Sequence, residues 1–139
     1  MTSDDERGDR QDIADVLLRY STGIDRRDWV LFRSCWTADV VADYTEIARW
    51  ESADAITEFM ETAHVDMGHT MHRLSNLAIA IDGNTATARS YVDAILMMPD
   101  GKTGLNPTGF YDDDLIRTSE GWRIARRTFT MVLQRTLPT

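Results

Sequence analysis

The hydrophobic periodicity of the chain changes near Gly68, and this change limits the fold more than any other feature. Before Gly68, apolar residues recur three and four positions apart, as on helix faces. Beyond it they alternate with polar residues, as in strands with one buried side. Helices followed by strands are typical of an α+β domain. We therefore predict a cone-like α+β barrel, in which N-terminal helices pack on one face of a curved, mostly antiparallel sheet and enclose a pocket.

Three helices and a strand are predicted before Gly68. The first helix begins at Asp12 and has an apolar stripe formed by Ile13, Val16, Leu17, Tyr20 and Ile24. A shorter helix follows Asp28, and its inward side is formed by Trp29, Phe32 and Trp36. Ser52 caps a third helix, whose buried side is formed by Ile56, Phe59, Met60 and Ala63. The β-branched residues 39–47 predict a strand between the second and third helices.

Beyond Gly68, strands are predicted at residues 70–81, 85–98, 109–118 and 122–133, with turn-forming residues between them. Residues 1–11 are charged and lack periodicity, so we expect a flexible lead-in. Residues 12–134 are predicted to form a single domain and residues 135–139 a tail. A chain of 139 residues is sufficient for one hydrophobic core.

Composition excludes several classes of partner. The formal net charge of −8 argues against nucleic acid, and no apolar run approaches the ~20 residues needed to span a membrane. A charged N-terminus without an apolar segment, together with a single cysteine, predicts a cytoplasmic protein. No nucleophile elbow occurs, which argues against nucleophilic catalysis. No Gly-rich phosphate loop occurs, which argues against a nucleotide cofactor, and no cofactor is expected. The predicted partner is a small molecule or another protein.

The three histidines differ in their predicted surroundings. His64 follows the third helix and His69 lies in the next loop, so both are predicted to be solvated loop residues. His72 opens a strand. Strict alternation along this strand places His72, Leu74 and Asn76 on one face. It places Leu77, Ile79 and Ile81 on the other face. That second row must be covered, which predicts a homo-oligomer. The spacing of the histidines matches no compact ligand pattern, and no metal site is expected.

Several charged residues have two open interpretations. Asp25 ends the first helix, where the macrodipole disfavours a carboxylate, so it either has a compensating partner or belongs to a charged, solvated turn. On the second strand Tyr91 and Asp93 share a face, which is either solvated or part of a site. On the last strand alternation puts Arg127 opposite Trp122, so a solvated sheet edge is the alternative to an inward orientation.

The order of these residues resembles a known family. The segments are Arg19-Tyr20-x4-Asp25-x2-Asp28-Trp29, Asp43-Tyr44, Thr70-x-His72-x3-Asn76, Gly109-x-Tyr111-x-Asp113 and Gly121-Trp122-Arg123-Ile124. From about residue 12 to residue 133 they resemble the SnoaL-like group of the nuclear transport factor 2, ketosteroid isomerase and scytalone dehydratase superfamily. The last segment is common to the superfamily, whereas the pairing of Asp25 with His72 resembles the dehydratase and dehydrochlorinase branch.

The resemblance implies a catalytic pair. An Asp of the first helix, here Asp25, would orient a His of the sheet, here His72, which acts as the base. Tyr44 matches a dehydratase tyrosine, and Arg127 matches a substrate-facing arginine of the dehydrochlorinase.

The walls of the pocket are predicted from the aromatic residues, the strand faces and the resemblance together. Asp93 lies near a second carboxylate of the family, and a slip of one residue would substitute Tyr91. The expected substrate-binding residues are Tyr20, Trp29, Trp50, Phe59, Leu74, Asn76, Tyr91 and Asp93.

The sequence favours a cofactor-independent lyase or isomerase, dehydratase- or cyclase-like, that acts on a small hydrophobic, polyketide- or steroid-like molecule. His72 would remove a proton while Asp25 fixes its tautomer. One alternative is a carboxylate-based enzyme resembling ketosteroid isomerase or an epoxide hydrolase, with Asp25, Asp43 or Asp93 as base. The other is a non-catalytic small-molecule-binding module. Relatives of these kinds are dimers or trimers, so either homo-oligomer is expected.

Overall fold

The helices come first in the chain and the strands follow, as the periodicity predicts. A computed structural model describes residues 4–138. Its elements are α1 (Asp4–Arg26), α2 (Trp29–Arg33), β1 (Trp36–Asp43), β2 (Arg49–Trp50), α3 (Ala53–His64), β3 (Thr70–Asp82), β4 (Thr85–Met97), β5 (Gly104–Thr118) and β6 (Gly121–Leu137). Among these residues, no helix has both the length and the apolar character required to cross a bilayer.

One six-stranded sheet, in the order β2-β1-β6-β5-β4-β3, supports the helices. Every neighbouring pair is antiparallel except β1 and β6, which are parallel. The helices pack on the inner face of the curved sheet, and the buried core lies between them. The predicted α+β architecture is confirmed, with the single parallel pair as an addition.

The first helix is longer than predicted. Residues 4–11, expected to be a flexible lead-in, form its first turns, and residues 1–3 lie outside the described part of the chain. The Arg117 guanidinium donates to both carboxylate oxygens of Asp9, at 2.8 and 2.7 Å, and Arg10 Nη1 donates to the Ile79 carbonyl at 2.6 Å. These turns are held by polar contacts with the sheet, which hydrophobic periodicity does not detect.

Most of the other element boundaries follow local signals, but the strand predicted at residues 39–47 ends at Asp43, and the two-residue β2 is not among the predicted strands. Asp28 and Ser52 cap α2 and α3, because their side chains accept hydrogen bonds from Leu31 N and Ala55 N at 3.0 Å. Trp36, expected inside the second helix, is the first residue of β1. β5 begins five residues earlier than predicted, and β6 continues to residue 137, so most of the expected tail is strand, while Thr139 lies outside the described residues.

Two of the register shifts in the sheet change which side chains face the core. Asn76 has a φ of +53°, and the register of β3 against β4 shifts between Ser75 and Ala78. This bulge returns the row of Leu77, Ile79 and Ile81 to the core side, so the prediction that this row faces outward is wrong. Because this row packs on the core, it no longer supports the predicted homo-oligomer.

The second of these shifts lies in β6, where the register against β5 changes next to Leu115. It puts Arg127 on the buried side with Trp122 and Ile124, rather than opposite Trp122 as strict alternation predicts.

Candidate active site

An apolar cavity of about 230 Å³ lies between the helices and the inner face of the sheet. Its walls are mostly aliphatic and aromatic, and its polar groups are three tyrosines, two histidines and Gln134. No lining residue is Asp or Glu. A larger depression of about 490 Å³ on the outer face of the sheet is lined by side chains that include the Arg89–Asp112 ion pair and is separate from this cavity.

His72, on the cavity wall, is paired with Asp25 at the end of α1. The ring Nδ1 lies 2.7 Å from Asp25 Oδ1, and the His72 backbone N–H donates to Oδ2 at 2.7 Å. The side chain of His72 is 9% exposed and that of Asp25 is 23% exposed. The carboxylate can only accept, so Nδ1 carries a proton and Nε2 presents a lone pair. The structure thus brings together the two residues on which the sequence prediction depends.

Arg27 holds the end of α1 against the start of β3. It has a φ of +58°, and its guanidinium donates to the carbonyls of Ile24, Asp25 and Gly68 and to Thr70 Oγ1 at 2.7–3.2 Å. Thr70 in turn donates to Asp25 Oδ1 at 2.9 Å. The macrodipole penalty on a carboxylate at this helix end is therefore offset by a cation and by several donors.

Asp25 is ionised despite its burial. Burial alone would raise the pKa of its carboxyl, but hydrogen bonds from the His72 ring and backbone and from Thr70 hold that pKa below its usual value. A charged carboxylate beside the imidazole stabilises the imidazolium that forms when His72 takes a proton.

Three buried tyrosines form a hydroxyl cluster on the cavity wall. The Tyr20 hydroxyl lies 3.1 Å from that of Tyr44 and 3.2 Å from that of Tyr111. Burial raises the pKa of all three hydroxyls, so each keeps its proton at neutral pH. Two contacts use two of the three protons, so within residues 4–138 one hydroxyl proton is left to donate into the cavity.

Arg127 lies behind this cluster and does not line the cavity. Its guanidinium is fully buried, donates to both oxygens of Asp113 at 2.7 and 2.9 Å, and approaches Tyr44 Oη at 3.4 Å. It also lies 3.8 Å from the Tyr111 ring centre. The expectation that Arg127 faces the substrate is wrong, because the tyrosines and Asp113 surround it.

His64 is a functional candidate that the sequence analysis missed. It was predicted to be a solvated loop residue, but it ends α3, is 6% exposed and lines the cavity. Its ring centre lies 6.5 Å from that of His72. The signal was present in the helix stripe, since Ile56, Met60 and His64 succeed one another at intervals of four residues.

Four of the aromatic and aliphatic wall predictions have mixed outcomes. Phe59 lines the cavity, as expected. Trp50 lies behind it, with its ring 4.9 Å from that of Phe59, and Trp29 packs behind His64 at 5.9 Å between ring centres. Leu74 packs on the core without lining the cavity.

Three other predicted substrate-binding residues lie away from the cavity. Asn76 is exposed at the bulge, where its backbone conformation displaces its side chain from the inner row. Tyr91 is 45% exposed on the outer face of the sheet, and Asp93 lies beside it, paired with Arg73 at 3.1 Å. Alternation along β4 gave these two a shared face, and that face is the solvated one. Among residues 4–138, no group of three potential ligands is close enough to hold a metal ion.

The family follows from the sequence match. A model described as the SnoaL-like domain matches residues 5–128. The chain belongs to the SnoaL-like family. This SnoaL-like chain is 30% identical to Uncharacterized protein Rv2910c of Mycobacterium tuberculosis over an alignment of 137 residues. The alignment covers 97% of this chain and 93% of that protein.

Solved structures share the fold of this SnoaL-like domain. An NTF2-like protein with a cystatin-like fold from Novosphingobium aromaticivorans superposes with a TM-score of 0.79 at 23% identity, over 90% of this chain and 82% of that chain. Hexachlorocyclohexane dehydrochlorinase LinA Type2 superposes with a TM-score of 0.80 at 16% identity, over 94% and 88%. These likenesses establish the NTF2-like, cystatin-like fold.

Proposed function

We propose that this SnoaL-like protein is a cofactor-independent lyase or isomerase, dehydratase- or cyclase-like, that acts on a small hydrophobic, polyketide- or steroid-like molecule. His72 is the general base and Asp25 orients it. The observation that carries the proposal is the 2.7 Å contact between His72 Nδ1 and Asp25 Oδ1 beside an apolar cavity. An imidazole fixed in one tautomer, on the wall of an apolar cavity, suits removal of a proton from carbon.

The proposed reaction balances without a cofactor. The C–H bond breaks, its proton goes to His72 Nε2, and its electron pair forms a double bond. In an elimination the leaving group departs with its own electron pair, and in an isomerisation a proton returns to another carbon. The hydroxyl of the cluster whose proton is uncommitted, that of Tyr20, Tyr44 or Tyr111, donates to the oxygen that gains charge.

Two further facts support this proposal over its alternatives. LinA, which shares the fold, is named a dehydrochlorinase, and loss of hydrogen chloride is an elimination. A carboxylate-based enzyme would need a free carboxylate on the cavity wall. The wall of the described cavity has none, and the oxygens of Asp25 are engaged by His72 and Thr70.

The Kemp elimination of nitrobenzisoxazole tests the base without knowledge of the natural substrate. This compact aromatic compound needs one base to take a C–H proton while its N–O bond breaks to a coloured phenolate. We expect the wild-type protein to accelerate the reaction and His72→Ala to lose about 100- to 10,000-fold, the usual worth of general-base catalysis. His69→Ala removes an exposed imidazole and should leave the rate unchanged.

A loss of less than about tenfold in His72→Ala would contradict the role of His72. Asp25→Asn should reduce the rate while leaving binding of the probe intact, because Asp25 acts on the base and not on the ligand. Saturable binding of the probe with no acceleration by the wild-type protein would instead favour the non-catalytic binding module.

A further inference from the structure

His64 is the buried polar residue of the cavity that the proposed reaction does not use. Its Nδ1 lies 2.7 Å from the Met60 carbonyl, one helical turn earlier. Its Nε2 is buried, and no described residue hydrogen-bonds to it. A buried imidazole nitrogen without a partner carries a desolvation cost, and on a cavity wall a ligand that donates a hydrogen bond can remove that cost.

The contact with Met60 fixes the tautomer of His64. A carbonyl oxygen can only accept, so Nδ1 carries the proton and Nε2 is a hydrogen-bond acceptor. Burial is the largest effect and lowers the pKa of His64; the hydrogen bond with the Met60 carbonyl opposes it, and the nearby charge of Arg27 lowers the pKa further. The ring is therefore neutral and cannot donate from Nε2.

The two imidazoles of the cavity differ in the group that holds their Nδ1. The Nδ1 of His72 contacts the charged carboxylate of Asp25, whereas the Nδ1 of His64 contacts the neutral carbonyl of Met60. Their ring centres lie 6.5 Å apart, and both imidazoles line the same cavity. One ring is suited to take a proton, and the other to accept a hydrogen bond.

We propose that His64 Nε2 accepts a hydrogen bond from a hydroxyl group of the ligand, so that the protein selects apolar molecules with an O–H group close to the carbon that His72 deprotonates. This proposal names the substrate class of the proposed function and rests on it. His64 thus determines specificity, while His72 supplies the base.

Naphthol and its methyl ether form a matched pair of probes, since they share an apolar body and differ in the hydroxyl proton. By calorimetric titration we expect the wild-type protein to bind naphthol at least about fivefold more tightly than the ether, the worth of a hydrogen bond to a buried group. In His64→Leu the two affinities should differ by less than about twofold. His69→Leu, at an exposed imidazole, should keep the wild-type preference.

A preference that survives in His64→Leu and disappears in His72→Ala would overturn the proposal, because the hydroxyl would then bind His72. The absence of any preference in the wild-type protein would overturn it as well. These binding results do not depend on turnover, so they are separate from the Kemp elimination rates that test the base.

Nitrogen NMR of the imidazoles tests the same contact in the unaltered protein, which covers the case in which His64→Leu does not fold. We expect His64 to show a protonated Nδ1 and an unprotonated Nε2, and the Nε2 resonance to shift on addition of naphthol but not of the ether. A protonated Nε2, or an Nε2 that responds equally to both compounds, would contradict the proposal.

Discussion

At the scale of the residue, Arg127 shows how a charged side chain can serve the cavity without touching it. Burial opposes its charge, but Asp113 and the surrounding tyrosines raise the pKa of the guanidinium well above its usual value. The cation lies 4.3 Å from the ring centre of Tyr20 and 3.8 Å from that of Tyr111. It therefore packs against the rings of two tyrosines whose hydroxyls line the cavity.

Removal of one partner of the buried Arg127–Asp113 ion pair should strongly destabilise the protein. We expect Asp113→Ala to lower the free energy of unfolding by about 3–5 kcal/mol, because it leaves a buried charge uncompensated. The double variant with Asp113→Leu and Arg127→Met should recover most of that loss, since no charge remains. Urea denaturation measures both.

Asp112 provides the control for this prediction. It accepts the same bidentate contact from Arg89, at 2.7 and 2.9 Å, but on the exposed face of the sheet. Asp112→Ala should cost no more than about 1 kcal/mol. Equal losses in Asp112→Ala and Asp113→Ala would mean that burial does not decide the contribution of the pair.

At the scale of the element, α1 determines the site because it carries both Tyr20 and Asp25. Its last turns approach α2 closely at Gly23, where a Cβ would lie 2.8 Å from the Phe32 backbone nitrogen and 2.9 Å from its Cα. Gly8, in the same helix, has no atom within 4 Å of that position. The two glycines thus separate helix propensity from packing.

We expect opposite effects from one substitution at these two positions. Gly8→Ala should stabilise the protein by about 0.5–1 kcal/mol, because alanine is the better helix former. Gly23→Ala should destabilise it by about 1–3 kcal/mol, because α2 must move away from α1. Thermal unfolding followed by circular dichroism compares them, and stabilisation by Gly23→Ala would contradict the close approach.

The elements also show which features could be predicted from the sequence. Ser52 and the stripe of α3 are local signals: the Ser52 cap is confirmed, and of the predicted buried side Ile56 and Met60 are buried, whereas Phe59 and Ala63 are exposed. The bulge at Asn76 could not be predicted from hydrophobicity, because one inserted residue with a positive φ reverses every face assignment after it. His64 was missed for another reason: the predicted third helix ends at Ala63, one residue before the observed end of α3.

At the scale of the whole molecule, the change of period near Gly68 was sufficient for the fold class. Amphipathic helices and alternating strands each leave one apolar side, and only a layered α+β arrangement buries both. The parallel pairing of β1 with β6 could not be predicted, because it joins segments about 85 positions apart along the chain and leaves no local signal. The homo-oligomer stays a prediction, without the support of the Leu77 row.

The pairing of Asp25 with His72 and Thr70 also contributes to the stability of the whole molecule in acid. The pKa of Asp25 is lower in the folded protein than the usual value of 3.8. A depressed folded pKa means that the unfolded chain binds the proton first as pH falls, so the contribution is complete above that usual value and is lost as pH falls through the folded pKa.

We therefore expect the stability difference between the wild-type protein and Asp25→Asn to be constant at neutral pH and to narrow below about pH 4. Chemical denaturation at a series of pH values measures it. Asp66→Asn, an exposed substitution after α3, should give a difference that stays small throughout. If the Asp25→Asn difference did not narrow in acid, the hydrogen bonds from His72 and Thr70 would not be what keeps this carboxylate ionised, and the orientation of the base would need another explanation.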